Sequence, residues 1–241
     1  MIMAHLIFDN VTIKYPVYNG AAKSLKKSLL SVGTGGLLSK APGDVLTVTA
    51  LDSVSFQLHD GDSVGLIGHN GAGKTTLLRA MAGIYTPISG SITSAGKIST
   101  LIELGAGLDS ELSGYENIYR LGLLLGMSNI ALEKLMPSIE DFTELGNFLE
   151  APVRTYSSGM LMRLMFAVST SNQPEILLVD EMFGTGDKNF QEKAKARMEG
   201  LISAAKIFVF ASHSEHLIKK FCNRIFELNH GSLTEVSRTV I

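Results

Sequence analysis

The chain has 241 residues, 45% of them hydrophobic and 18% charged, enough for one substantial core with a smaller lobe beside it. With 21 basic against 23 acidic residues the net charge is −2, which excludes the global basic footprint of a nucleic-acid-binding protein. The single cysteine, Cys222, excludes an intramolecular disulfide and a cysteine-rich zinc site, and suits a reducing compartment.

The start, "MIMAHLIFDNVTI", lacks a charged n-region and a small-residue cleavage site, and its alternation predicts a strand at 5–13. An irregular insert follows at about 16–50. Within it, "AAKSLKKSLLSV" sets Leu25, Leu29 and Val32 on one helical face and Lys23, Lys26 and Lys27 on another. That pattern reads either as a decorated surface helix or as a basic amphipathic helix against a membrane or a membrane partner. Strands are expected near 52–58 and 62–67, then a glycine-rich loop, a helix to about 82 and short strands near 91–101. The stretch 114–148 has a helical period, with breaks expected around Ser128 and Pro137. A helix at 157–171 leads into the strand "EILLVD", a helix at 189–203, the strand "IFVFAS", a helix at 214–221 and the strand "RIFELN". Apolar strands alternating with helices predict an α/β protein whose parallel sheet is covered on both faces. Residues 105–165 interrupt that alternation with helices alone, which predicts an inserted helical subdomain. Apolar runs such as "LGLLLGM" fall well short of the ~20 residues of a membrane span.

Gly68-x-x-x-x-Gly73-Lys74-Thr75 matches the P-loop pattern, with an apolar strand running in and a helix running out. Gly68, Gly71 and Gly73 let the backbone from Gly68 through His69, Asn70, Gly71 and Ala72 to Gly73 turn its N–H groups toward phosphate oxygens. Lys74 would reach the β- and γ-phosphates, Thr75 would ligate Mg²⁺, and Thr76 would add a bond to the α-phosphate. His69 fills a variable position of the motif, so its side chain has no assigned chemistry. The strand "EILLVDE" supplies Asp180 at its C-terminal end, where open α/β sheets bind ligands and where a carboxylate suits Mg²⁺. Strand alternation turns Glu181 the other way, toward an attacking water instead of the metal.

"YSSGM", residues 156–160, precedes that strand by one helix, the placement of the signature motif in ATP-binding cassette (ABC) ATPases. The signature there usually reads LSGGQ; the version here resembles the ATPase subunits of bacterial polysaccharide exporters, which move O-antigen, teichoic acid or capsule chains. "ELGAGLDSELSGYENIY", "PVRTYSSGM", "ILLVDEMFGTGDKNFQEKA" and "ASHS" carry the resemblance across nearly the whole chain. It implies an ABC-type nucleotide-binding domain over 1–241, with a parallel-sheet core, an antiparallel β subdomain carrying the 16–50 insert, and the helical subdomain at about 105–165. It also implies that two chains pack head to tail with ATP and Mg²⁺ between one chain's P-loop and the other's Ser157, Ser158 and Gly159. Further implied roles are Tyr15 stacking on the base, Glu181 and His213 serving hydrolysis with Lys74, and Asp187 in the D-loop. The partners implied are a second copy, an integral membrane permease and, through it, a lipid-linked polysaccharide. The chain would then work at the cytoplasmic face of the bacterial inner membrane, without nucleic acid and without a C-terminal glycan-binding domain.

Two departures stand out. The Q-loop glutamine is missing, and Glu103 in "LIELGAG" is its nearest equivalent as a metal neighbour. The D-loop reads "GTGD" and lacks the common Ser-Ala-Leu lead. Other readings are an importer or drug-exporter ATPase, a chromosome or DNA-repair ATPase, and a nucleotide-gated module without hydrolysis. The interval from 74 to 159 has no sustained heptads, which counts against the DNA-repair class. Met160, Met162 and Met165 are expected to pack along a buried helix, and Phe208, Phe210 and Phe221 in the core. His5, His59, His216 and His230 share no ligand spacing.

Overall fold

The computed structural model describes residues 3–17, 38–40, 46–102, 105–181 and 188–238. The chain divides into two compact units, one of Met1–Lys97, Leu178–Glu181 and Lys206–Ile241, the other of Ile98–Leu177 and Met182–Ala205.

The first unit holds an antiparallel sheet built on β1 (His5–Val17) and β3 (Leu46–His59), flanked by β2 (Leu38–Lys40) and β5 (Ser89–Ala95) in the order β2-β3-β1-β5. In β1 the buried positions run Leu6, Phe8, then Val11, Ile13, so the alternation slips by one residue. Asn10, at φ 51°, absorbs the slip as a bulge, and Ser53, at φ 53°, does the same between buried Leu51 and Val54 of β3. Beyond the bulges the pair continues to Val17 opposite Leu46. The strands predicted at 5–13 and 52–58 are therefore longer, and residues 46–50, placed in the insert by sequence, belong to β3. The rest of the insert between Val17 and Leu46, including Lys23, Lys26 and Lys27 but not β2, lies outside the described residues.

The parallel strands of this unit are β4 (Ser63–Ile67), β8 (Ile207–Ala211) and β9 (Arg224–Asn229), with β4 paired parallel to both others. β10 (Ser232–Val236), which the sequence reading missed, pairs antiparallel with β9. On the far side of β8 lies β7 (Ile176–Asp180), whose last three residues belong to this unit. Val64, Leu66, Val179, Val209 and Ile225 are fully buried, as strands covered on both faces require. Helices α1 (Lys74–Met81) and, seen later in the chain, a helix at Glu215–Phe221 bury Leu77, Leu78 and Ile218. Phe208 and Phe210 are core residues as expected, whereas Phe221 is only half-buried. Burial pushes the Cys222 thiol up to about 12, which makes it inert.

The second unit contains β6 (Ile98–Leu101) and helices α2 (Gly114–Leu124), α3 (Asn129–Thr143), α4 (Ser158–Ser169) and α5 (Lys188–Ala204), with 3₁₀ turns at Gly146–Glu150 and Val153–Thr155. It extends beyond the 105–165 stretch, since α5 belongs to it. Phe142, Phe166 and Phe190 meet with ring centroids 5.5–6.1 Å apart, joining α3, α4 and α5. Arg197 lies over the Phe142 ring at 4.1 Å, and Glu144 bridges Arg163 (3.2 Å) and Lys193 (2.9 Å). Met165 is buried, but Met160 and Met162 are only half-buried, because α4 opens on the side of its first turn.

The break at Ser128 is a helix start: its side chain caps α3 by accepting from the Ala131 amide at 3.2 Å. Pro137 does not end α3, which runs through it to Thr143 because buried Leu132, Ile139 and Phe142 hold both halves to one core. The ring still removes the N–H that would serve the Glu133 carbonyl. Pro137 is exposed, so Pro137→Ala should restore that bond without disturbing the core and stabilise the protein by about 1–3 kcal/mol. Urea unfolding checks this; a lower midpoint in the variant would mean that the packing of α3 needs the proline.

Candidate functional site

Three neighbouring strand ends build the site. β4 runs into the P-loop, β7 ends on Asp180, and β8, between them, runs out to Ser212 and His213. The ends are tied together by two backbone bonds, Ser212 N to Leu66 O at 3.4 Å and Glu181 N to Ala211 O at 2.9 Å. A cleft of about 330 Å³ opens at this edge. It is lined by Tyr15, the loop and helix start from Asn70 to Thr76, Asp180, Glu181 and His213, all within the first unit.

Gly68 sits at φ 146°, and a Cβ there would collide with the Leu228 carbonyl of β9. Gly73, at φ 110°, starts α1, and its Cβ would come within 2.7 Å of the Ala50 carbonyl. Only glycine fits either place, so the loop is pressed between β9 and β3. The Lys74 ammonium folds over the loop, donating to Gly68 O at 2.6 Å and His69 O at 3.2 Å. Desolvation lowers its pKa, while the nearby Asp180 and Glu181 carboxylates pull it back up. Gly68 and His69 meet Lys74 through their carbonyls, and the cleft is lined from Asn70 onward. The His69 ring lies 4.9 Å from that of His230, a contact with no trace in the sequence spacing; among the described residues no cluster of three or more ligating side chains exists.

Thr75 donates its hydroxyl proton to Asp180 Oδ2 at 2.7 Å. This hydroxyl–carboxylate pair is a hard-oxygen set of the size Mg²⁺ takes from protein when phosphates and waters complete its shell, so the residues fit the ion. The alternation expected of Asp180 and Glu181 does not hold. β7 ends at Asp180, Glu181 takes a left-handed φ of 36°, and both residues line the same cleft. Glu103 and Asp187 lie outside the described residues.

At the other wall, the Tyr15 hydroxyl bonds Thr76 Oγ1 at 3.2 Å, and its ring meets Tyr85 edge-on with centroids 5.4 Å apart. Arg79 donates to the Tyr85 hydroxyl at 3.0 Å. Burial raises the Tyr15 pKa, so the phenol stays protonated. Val48, Thr49 and Ala50 of β3 complete this wall. Sequence reasoning missed them; the signal was the run "LTVTAL", whose β-branched residues continue the strand upstream.

In the second unit, Ser157 is the N-cap of α4, its Oγ accepting from the Met160 amide at 3.2 Å. With that amide and the Leu161 amide taken, the amides of Ser158 and Gly159 have no intrahelical acceptor and stand at the positive end of the helix. Ser157 and Ser158 are exposed.

A glycine-shaped P-loop leaving one parallel strand, with an aspartate bonded to its threonine from the end of another, defines a nucleoside-triphosphate-binding protein of the P-loop class. The chain belongs to the ABC transporter family, whose model matches residues 51–184. It is 61% identical over 239 residues to the O-antigen export system ATP-binding protein RfbE of Yersinia enterocolitica, covering 99% of this chain and 100% of that one. The teichoic acids export ATP-binding protein TagH of Listeria innocua is 39% identical over 232 residues, 96% of this chain and 66% of the relative. In fold it resembles the ATP-binding cassette MJ0796, solved as a dimer in a post-hydrolysis state bound to ADP and Pi, with a TM-score of 0.68 over 97% of this chain and 98% of that one at 20% identity.

The tight seat of Gly68 yields a direct expectation. Gly68→Ala should push the loop off β9 and lower nucleotide affinity at least tenfold, read by titration with a fluorescent ATP analogue. Unchanged affinity would show that the loop can shift without losing its grip on phosphate.

Proposed function

We propose that this chain is the ATP-hydrolysing subunit of an exporter that moves a lipid-linked, O-antigen-like polysaccharide across the bacterial cytoplasmic membrane. The observation that carries this reading is the 61% identity to an O-antigen export ATP-binding protein along the full length of both chains. The weaker 39% likeness to a teichoic acid export protein favours O-antigen over teichoic acid as cargo class. The passage itself would belong to a separate permease; among the described residues no helix is long and apolar enough to cross a membrane. The chain would act at the cytoplasmic face, bound to that permease.

In this reading ATP enters the cleft with its base against Tyr15, a contact worth about 1–3 kcal/mol. The P-loop amides and Lys74 hold the phosphates, and Thr76 exchanges its bond with Tyr15 for one to the α-phosphate. Thr75 and Asp180 would hold Mg²⁺, with Glu103 as a further candidate ligand, and the ion would supply positive charge against the phosphates. Glu181 takes the proton of the attacking water, and His213 donates to the γ-phosphate. Ser157, Ser158, Gly159 and Asp187 act on the nucleotide of a second copy, so that ATP holds the two chains together until hydrolysis releases them. The paired amides of Ser158 and Gly159 support this role, since a phosphate suits a helix start.

Glu181→Gln should keep ATP affinity and cut phosphate release at least a hundredfold, because an amide cannot accept the water's proton. The ATP-bound dimer should then accumulate on a sizing column; hydrolysis near the wild-type rate would remove Glu181 from the role of base. Export itself is tested in cells: a strain lacking the gene should lose surface polysaccharide and regain it with the wild-type chain but not with Glu181→Gln.

Sharing of the site between chains has its own test. Lys74→Ala and Ser158→Arg should each be inactive as pure dimers. Mixing them under subunit exchange pairs one intact P-loop with one intact signature, and should recover about a quarter or more of wild-type activity per mixed dimer. No recovery in proven mixed dimers, or an active pure Ser158→Arg dimer, overturns the shared site.

A further inference from the structure

Asn117, near the start of α2, is 0% exposed, an unusual place for a carboxamide. Its side chain is fully engaged with one short stretch of backbone. Oδ1 accepts from the Asp109 amide at 2.9 Å, and Nδ2 lies 2.9 Å from Asp109 O, 3.2 Å from Leu112 O and 2.9 Å from Ser113 O. These contacts close the segment 109–113 into a fixed loop. Ser113 adds a capping box with Glu116, which secures the loop's exit into α2.

The outer edge of that loop is not idle. Leu112 O, which Asn117 reaches, also accepts from the Val153 amide at 2.9 Å, and Ser110 O accepts from the Arg154 amide at 2.9 Å. Ser113 and Pro152 form an antiparallel bridge, and Arg154 pairs with Glu111 at 3.2 Å. The segment 152–154 is therefore hydrogen-bonded to the loop like a short strand. Two residues after it comes Tyr156, whose hydroxyl donates to Phe148 O at 2.6 Å, and then Ser157 caps α4.

We propose that Asn117 is a positioning residue for the signature motif: it fixes the 109–113 backbone, which holds 152–154 and so sets where Ser158 and Gly159 present their amides. The exposed Arg154–Glu111 pair adds little by itself, so the registration depends on the buried carboxamide and the two backbone bonds. Without the carboxamide the Asp109 amide and carbonyl lose the partner that closes the loop, while Leu112 O keeps the Val153 amide and Ser113 O the Asn117 amide, so the loop is freed at its Asp109 end. The signature then loses its setting while the cleft of the same chain, built in the first unit, is left alone.

This inference rests on the signature of one chain serving the nucleotide of another, and that gives it a readout that a general folding defect lacks. Asn117→Ala should bind a fluorescent ATP analogue as monomer within twofold of wild type, yet lose at least tenfold in homodimer hydrolysis. Mixed with Lys74→Ala under subunit exchange it should recover activity to the level of the Ser158→Arg and Lys74→Ala mixture. Mixed with Ser158→Arg it should recover nothing, since every site then pairs a sound P-loop with a damaged signature. Wild-type hydrolysis by the homodimer overturns the proposal. So does failure to complement Lys74→Ala where Ser158→Arg succeeds, or recovery with Ser158→Arg. If the Ser158→Arg and Lys74→Ala mixture stays dead with exchange verified, the shared site falls first and this inference with it. Should Asn117→Ala not fold, Asn117→Asp takes its place in the same mixtures and with the same outcomes; it keeps the acceptor for the Asp109 amide and withdraws the donor from Leu112.

Discussion

The bond from Ser212 N to Leu66 O and that from Glu181 N to Ala211 O hold three strand ends level at one edge of the parallel sheet. Everything chemical in the first unit hangs from that edge. Because β8 stands between β4 and β7, the P-loop helix and the Asp180 carboxylate are one strand apart on either side of it, close enough for Thr75 to reach Asp180. A slip of one residue in either pairing would turn an aliphatic side chain into the cleft and bury the carboxylate, at a cost of several kcal/mol. The fully buried valines and leucines of these strands are thus as much part of the site's geometry as the polar residues at their ends.

The parts of the protein most legible in its sequence are those where chemistry dictates spacing. Gly68, Gly73, Lys74 and Thr75 can stand only at fixed intervals around a phosphate, and Asp180 must close a buried strand. The parallel strands of the second half were equally plain, since they read as short apolar runs; the antiparallel β10, half-exposed and polar, was not. What resisted reading has definite physical causes. Bulges at Asn10 and Ser53 break the two-residue period, so β1 and β3 looked shorter than they are, and the cleft wall at Val48–Ala50 disappeared into the supposed insert. Pro137 looked like a terminus because a local rule was overridden by the packing of Leu132 and Ile139 on either side. Glu181 looked as if it faced away from Asp180 because its left-handed backbone cannot be seen in a glutamate. Asn117 lies within the quoted run "SGYENIY", but only its burial and hydrogen bonds reveal what it does there.

Within each unit the hydrogen bonds around the candidate residues suit a separate task. In the first, Lys74, Thr75 and Thr76 find partners in Gly68, Asp180 and Tyr15, so the cleft is a closed set of polar contacts that phosphate can exchange one by one. In the second, Ser157 and Tyr156 are anchored by neighbours in sequence and by the loop before α2, which leaves the first amides of α4 as the unsatisfied groups. In the proposed function the first arrangement would cradle the chain's own nucleotide, and the two spare donors of the second would meet the nucleotide of another copy.

The ladder between β1 and β3 carries a different kind of meaning. Val17 and Leu46 face each other at its end, so the chain departs and returns at adjacent points, and β2 within the excursion adds an edge strand beside β3. A loop tethered at such a gate grows cheaply, each doubling of its length adding only about 0.6 kcal/mol of closure entropy. Tyr15 and Thr49, a few residues inside the gate, keep their places whatever is spliced in beyond it. The end of this hairpin is thereby a place where chain can be added at little cost to the cleft.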